Sequence, residues 1–227
     1  MHRAFVFLVF LFLSACSYHN TLPARIYQGT ATAEKVHARV LVPSDKIAQK
    51  QFVFKDYHEK SSVHSYKIDL QKGSLSAAAD ALATVFETVE IAPFKTAEKY
   101  QFIAELHYQI SDGKQDSSES IQWLNYTQIP YLETQVQISF YTPQGEEVFV
   151  GYATRRNRVE LNNAAAVAQR VESAGTIALL PVTAPIYTQQ MGDRLRYTLA
   201  RDLAECLQEI IESLPRNDFQ ERKNYVK

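Results

Sequence analysis

The sequence predicts an α+β domain, a twisted and mostly antiparallel sheet with helices packed on one face. Three observations lead there. Apolar residues alternate with a period of two at Val36–Val42, Phe102–Ile110 and Val136–Phe140; they recur at spacings of three and four from Leu75 to Val89; and a longer stripe of that spacing runs from Met191 to Leu214. The first pattern belongs to half-buried strands and the other two to amphipathic helices. One-faced helices and alternating strands bury their apolar sides together when one layer of helix covers one layer of sheet.

Taken in order, the chain opens with Met1, His2 and Arg3, an apolar run Ala4 to Leu13, and then Leu13-Ser14-Ala15-Cys16. A short positive start, an apolar segment and small residues at a cut site form an export signal. The run is too short to span a hydrocarbon core, which needs about 20 residues. Leu13-Ser14-Ala15-Cys16 resembles the lipobox of bacterial lipoproteins. That resemblance implies cleavage after Ala15, a diacylglyceryl thioether on Cys16, and an N-acyl lipid such as palmitate on the new amino group. Several chains on one residue exceed the two-signal threshold for stable anchoring. In the same family the residue after the cysteine sorts the product, and Ser17 favours the outer membrane.

The domain plan that follows is a signal peptide over 1–15, a lipidated N-terminus and flexible tether over 16–34, one α+β periplasmic domain over 35–215, and a polar tail over 216–227. The tether is assigned because Ser17 to Glu34 lacks apolar periodicity and contains Pro23 and Gly29. Strands are expected at Lys35–Val42, Gln51–Lys55 and Val63–Leu70, with a turn over Asp56–Ser62. Ser74 is expected to cap a helix whose apolar positions are Leu75, Ala78, Ala79, Leu82, Val85, Phe86 and Val89. A short strand, Val89–Ala92, and a long one, Tyr100–Ile110, come next, and Ser111–Ser120 reads as an exposed loop.

A hairpin is the clearest local motif: Glu133–Tyr141, a turn at Thr142-Pro143-Gln144-Gly145, and a return over Glu147–Thr154 with Val148, Val150 and Tyr152 aligned. An Ala-rich helix is expected over Asn162–Ser173, stopped by Gly175, and a buried crossing segment over Thr176–Val182. Thr183 with Pro185 opens the last helix, which ends at Pro215; the tail beyond it reads as frayed.

Bulk composition narrows the function classes. The chain is 46% hydrophobic and 22% charged with a formal charge of −1, which argues for a globular domain and against global attraction to nucleic acid. Its length past the signal suits one domain of ordinary core size. The two cysteines are Cys16 and Cys206. If the first is consumed as a thioether, no intrachain disulfide exists, and Cys206 on an apolar stripe reads as a buried, inert thiol.

No motif announces a reaction, a metal or a cofactor beyond the covalent lipid. None of the six histidines forms an HxH or HExxH pair; His37 and His107 sit on the polar sides of strands, and His58 and His64 flank a turn. Gly73-Ser74-Leu75-Ser76-Ala77 lacks the last glycine of a nucleophile elbow, and Walker and dinucleotide fingerprints are absent. Arg155, Arg156 and Arg158 form the only dense basic cluster and are a candidate contact for phosphate or lipopolysaccharide head groups. The alternative is a solvated strand end offset by Glu146, Glu147 and Glu160. Tyr126, Tyr131, Tyr141 and Tyr152, near Trp123, suit either an interface or an ordinary sheet.

The lipobox together with Ser74–Val89, Tyr100–Ile110, Val136–Thr154 and Leu195–Leu214 is similar to a group of small proteobacterial cell-envelope lipoproteins. It includes the lipopolysaccharide-assembly type and the auxiliary lipoproteins of lipid-transport systems. The resemblance implies a non-enzymatic interaction or assembly module of the outer membrane, held by its lipid, facing the periplasm and binding an envelope protein partner. The alternative it leaves is a lipid or lipopolysaccharide carrier.

Overall fold

Alternation in the sequence becomes two sheets rather than one. The computed structural model describes residues 17–23, 25–30, 34–57, 63–116, 128–159 and 180–222. In chain order the elements are β1 (Ser17–Thr21), β2 (Val36–Pro43), β3 (Gln51–Tyr57), β4 (Val63–Asp69), α1 (Gln71–Leu82), β5 (Phe86–Ala92) and a 3-10 turn (Phe94–Lys99). There follow β6 (Phe102–Asp116), β7 (Gln128–Tyr141), β8 (Glu147–Arg158), α2 (Leu180–Glu212) and α3 (Arg216–Arg222). A three-stranded sheet has the order β1-β4-β3, and a five-stranded one the order β5-β2-β6-β7-β8. The longest pairings, β6–β7–β8 and β3–β4, are antiparallel; β1 runs parallel to β4, and β2 runs parallel to both its neighbours. The class is α+β, with mostly antiparallel sheet, as the sequence predicts.

One apolar core joins the layers. Val36, Ala38, Val40 and Val42 of β2, Phe102, Ala104 and Leu106 of β6, and Val136, Ile138 and Phe140 of β7 form one buried cluster with Met191, Leu195, Leu199, Leu203, Cys206 and Ile210 of α2; α2 packs against β7 and β8, and α1 and α3 against β2. The inner face of the small sheet, Phe52, Phe54, Tyr66 and Ile68, enters the same core. Leu41, on the other face of β2, is buried in a small second cluster with Ala97, Tyr100 and Ile103, so the 3-10 turn covers that part of the sheet.

Several expectations change, each for a local reason. Residues 17–34 were expected as a tether, yet Ser17–Thr21 pairs with Ser65–Asp69, and Leu22 and Tyr27 are buried. Ser74 does not cap α1. The helix starts three residues earlier, where the Asp69 carboxylate accepts the Gln71 N–H at 2.9 Å, and the Ser74 hydroxyl donates back to the Leu70 carbonyl at 2.8 Å. The helix also stops at Leu82. The Thr84 hydroxyl donates to the Ala81 carbonyl at 2.6 Å, and β-branched and aromatic residues then feed β5, with Phe86 as its first buried position.

Ser111–Asp116 is strand rather than loop, because β7 begins at Gln128 and supplies the partner backbone. Gly113 there lies under Tyr131, whose ring stands 2.3 Å from where a Cβ would be. In β8 the faces are reversed: Gly151 and Ala153 are buried, whereas Val150 and Tyr152 are 40% and 57% exposed. α2 crosses so closely that a Cβ on Gly151 would meet Ile210 Cγ2 at 2.5 Å, and a register irregularity at Phe140/Tyr141 accompanies the change. The hairpin turn itself is as expected, with Gly145 at φ 87° and its N–H donating to the Thr142 carbonyl at 2.9 Å.

α2 begins at Leu180, ahead of Thr183, and ends at Glu212, ahead of Pro215; its stripe from Met191 to Ile210 is buried, as is Leu214 just past the helix end. The tail does not fray over its first part: Arg216–Arg222 is α3, and Phe219 is fully buried. The helix expected over 162–173, the start of the segment expected over 176–182, and Trp123 and Tyr126 lie outside the described residues.

Candidate functional site

The junction between β1 and α2 sets the geometry of the region next to Leu13-Ser14-Ala15-Cys16. Ala15 and Cys16 lie outside the described residues, and the description begins at Ser17, already paired with Ser65. Alternation along β1 sends Tyr18 and Asn20 inward and leaves Ser17, His19 and Thr21 exposed. Tyr18 lies across α2 where Gly192 leaves room for its ring, and its hydroxyl donates to Asp193 Oδ1 at 2.8 Å while accepting from Asn20 Nδ2 at 2.8 Å. Partial burial and the Asp193 bond push the Tyr18 phenol above its ordinary pKa. Just beyond, buried His64 hydrogen-bonds Thr188 at 2.9 Å and stacks edge-on against Tyr187.

The three arginines do not share a surface. Arg155 lies toward α2, with Nη1 2.7 Å from Glu209 and Nε 3.3 Å from Glu205. The Glu209 bond raises its already high pKa. Arg156, on the opposite face of β8, lies over the Tyr131 ring at 4.0 Å. Arg158 shares that alternation and is exposed.

Beneath Arg155 lies a buried polar group the sequence reading did not single out. Asp202 is fully buried; its Oδ1 accepts from Asn157 Nδ2 at 2.6 Å, and its Oδ2 has no hydrogen-bond partner among the described residues. Its position on α2, four residues before Cys206 on the buried stripe, is the signal that could have found it. Burial raises the Asp202 pKa above the ordinary carboxylate value, opposed by the Asn157 bond and by Arg201. The Cys206 thiol, pushed up to about 12 by burial, contacts the Thr134 carbonyl at 3.8 Å, which is the geometry of a structural rather than a reactive cysteine.

Because the folded state holds the Asp202 proton more tightly than the unfolded state, the contribution of this group to stability is fully present below the ordinary carboxylate pKa. It declines as pH rises toward the raised folded value. Asp202→Asn keeps an acceptor for Asn157 and removes the ionisation. The expected result is a higher melting temperature at neutral pH and a flatter decline of stability above the carboxylate range, read by thermal melts over pH; an unchanged pH slope would contradict the assignment.

His37 pairs with Glu87 at 3.2 Å, and His107 lies 3.7 Å from Glu105, both on open sheet faces. Between α1, α2 and the large sheet, Leu22, Leu70, Ser74, Tyr108, Thr134 and Leu199 line a cavity of about 10 Å³. That is the space of a single water molecule.

No family model matches the chain, and no curated protein does. Among solved structures it is similar to a homolog of neuraminyllactose-binding hemagglutinin from Helicobacter pylori, at 12% identity and a TM-score of 0.44, covering 90% of this chain and 97% of that one. It is also similar to PelC, solved as a dodecamer, from Paraburkholderia phytofirmans, at 14% identity and a TM-score of 0.32, over 75% of this chain and 93% of that one. A minor lipoprotein from Acinetobacter baumannii matches at 9% identity and a TM-score of 0.30, over 72% and 96%.

Proposed function

We propose that this chain is a lipid-anchored module of the bacterial cell envelope that acts by binding another envelope component rather than by catalysis. The observation that carries the reading is Leu13-Ser14-Ala15-Cys16 at the end of a short apolar segment. Among the described residues no helix is long and apolar enough to cross a membrane, so the lipid on Cys16 is the attachment this reading uses. In this reading Ser17 after the cysteine favours the outer membrane, as in the lipoproteins that the segment resembles, with the domain facing the periplasm. A carrier of lipid or lipopolysaccharide needs an apolar space of acyl-chain size; the cavity between α1, α2 and the large sheet, about 10 Å³ among the described residues, is not one, and this reading takes the interaction module first.

Metabolic labelling with palmitate in cells is the direct test. The native chain is expected to take up label, and Cys16→Ala to lose it while accumulating as the uncut precursor; equal labelling of the variant would overturn the anchor. Crosslinking in cells is expected to recover a specific envelope protein, and a chain that stays free would overturn the binding role.

A further inference from the structure

We propose that the Ser17 end of the small sheet's outer face is a contact surface for anionic phospholipid head groups, so that the domain is held against its membrane in one orientation. The proposal rests on the lipidation of Cys16 proposed above. Consecutive Cα atoms are ~3.8 Å apart, so a lipid on Cys16 enters the bilayer within one peptide unit of a residue that is already hydrogen-bonded strand. Slack beyond Ser17 is absent over the described residues of this segment, where Tyr18 is bonded to Asp193 and Leu22 and Tyr27 are buried. The polar layer on each side of a bilayer is about 5–8 Å deep, which a lysine at this end of the sheet reaches.

Charge on that face is complementary to such a layer. Its outward positions are Ser17, His19 and Thr21 on β1, Ser65, Lys67 and Asp69 on β4, and Gln51, Val53 and Lys55 on β3. Register sets Lys55 level with Ser65 and Ser17, and Lys67 level with His19 and Val53, one step of about 6.5 Å further along. Neither lysine forms an ion pair with a described residue, and Val53, 41% exposed, stands beside both, opposite Lys67 and two residues from Lys55. The one acid among the described residues of the face, Asp69, is at the far end and accepts the Gln71 N–H. Each lysine near an anionic leaflet shifts the balance toward contact by roughly fivefold. Arg155, by contrast, is already held by Glu205 and Glu209.

The opposite pole of the molecule supplies a control. α2 passes from Thr188, beside His64, to Ile210, beside Gly151, a rise of about 33 Å, which carries the chain away from Ser17 toward the β7–β8 hairpin. The full lipidated chain, reconstituted in phosphatidylethanolamine and phosphatidylglycerol vesicles containing nitroxide-labelled lipid, is fitted with a fluorophore at Val53→Cys or at Gln144→Cys. Quenching is expected at position 53 and not at 144. Inserting a Gly-Ser linker between Cys16 and Ser17 leaves the fold intact and should erase the difference, and Lys55→Glu with Lys67→Glu should reduce it. Equal quenching at both positions in an acylated chain would overturn the oriented contact while leaving the anchor in place. A purified chain whose intact mass lacks the acyl groups would overturn the anchor itself.

Discussion

Phe219→Ala is expected to cost about 3–5 kcal/mol, the range for emptying a buried aromatic site. The ring lies 5.3 Å from Phe86, 5.0 Å from Phe102 and 5.0 Å from Phe140, edge-on or nearly so to each. It therefore plugs the core where β5, β2, β6 and β7 meet. For a domain of this size the loss corresponds to a melting temperature roughly 10 °C lower. Glu221→Ala, on the exposed side of the same short helix, is expected to change stability by less than ~0.5 kcal/mol. A frayed tail would make both substitutions neutral, so the pair of melts separates a docked α3 from a loose one. The Arg222–Glu146 ion pair at 2.8 Å, exposed on both sides, contributes little beside the buried ring.

Gly192→Ala is the second large effect, and here two terms of opposite sign compete. Alanine in a helix interior is favoured over glycine by about 1 kcal/mol. Against that, the new Cβ would stand 2.3 Å from Cγ of Tyr18, the root of the ring rather than its free end. Making room means moving Tyr18, with the bond to Asp193 and the β1 pairing behind it, and overpacking of this kind costs about 1–3 kcal/mol. The clash wins, and net destabilisation is expected in a denaturant titration. In combination with Tyr18→Ala the clash disappears and the helix preference returns, so the two substitutions should be strongly non-additive. Additive costs would mean that the ring does not rest on the glycine.

Both results bear on how β1 and α3 were hidden in the sequence. Ser17–Thr21 has no apolar alternation, because its inward side chains, Tyr18 and Asn20, make polar contacts at a rim rather than filling a core. α3 offers a single apolar residue in a run of charges, and one buried ring produces no period. The small residues Gly151 and Ala153 likewise give no hydrophobic signal beside the larger Val150 and Tyr152. A hydrophobic count rewards size, whereas a helix crossing at contact distance rewards its absence. The three arginines looked like one patch because they are close in sequence; alternation along a strand sends Arg155 and Arg156 to opposite faces.

What the sequence by itself determined is the material of the core and the class of the fold. The alternating strands β2, β4, β6 and β7 and the long stripe of α2 follow from periodicity, which is a local property of side-chain direction. The likeness of Leu13-Ser14-Ala15-Cys16 to a lipobox is likewise a local pattern. Only the tertiary structure decided that the strands divide into two sheets, that β2 runs parallel to both its neighbours, and that the segment after Cys16 is strand rather than tether. Those choices depend on which backbone finds a partner distant along the chain, and Ser17 finds Ser65 although nothing in residues 17–34 signals it.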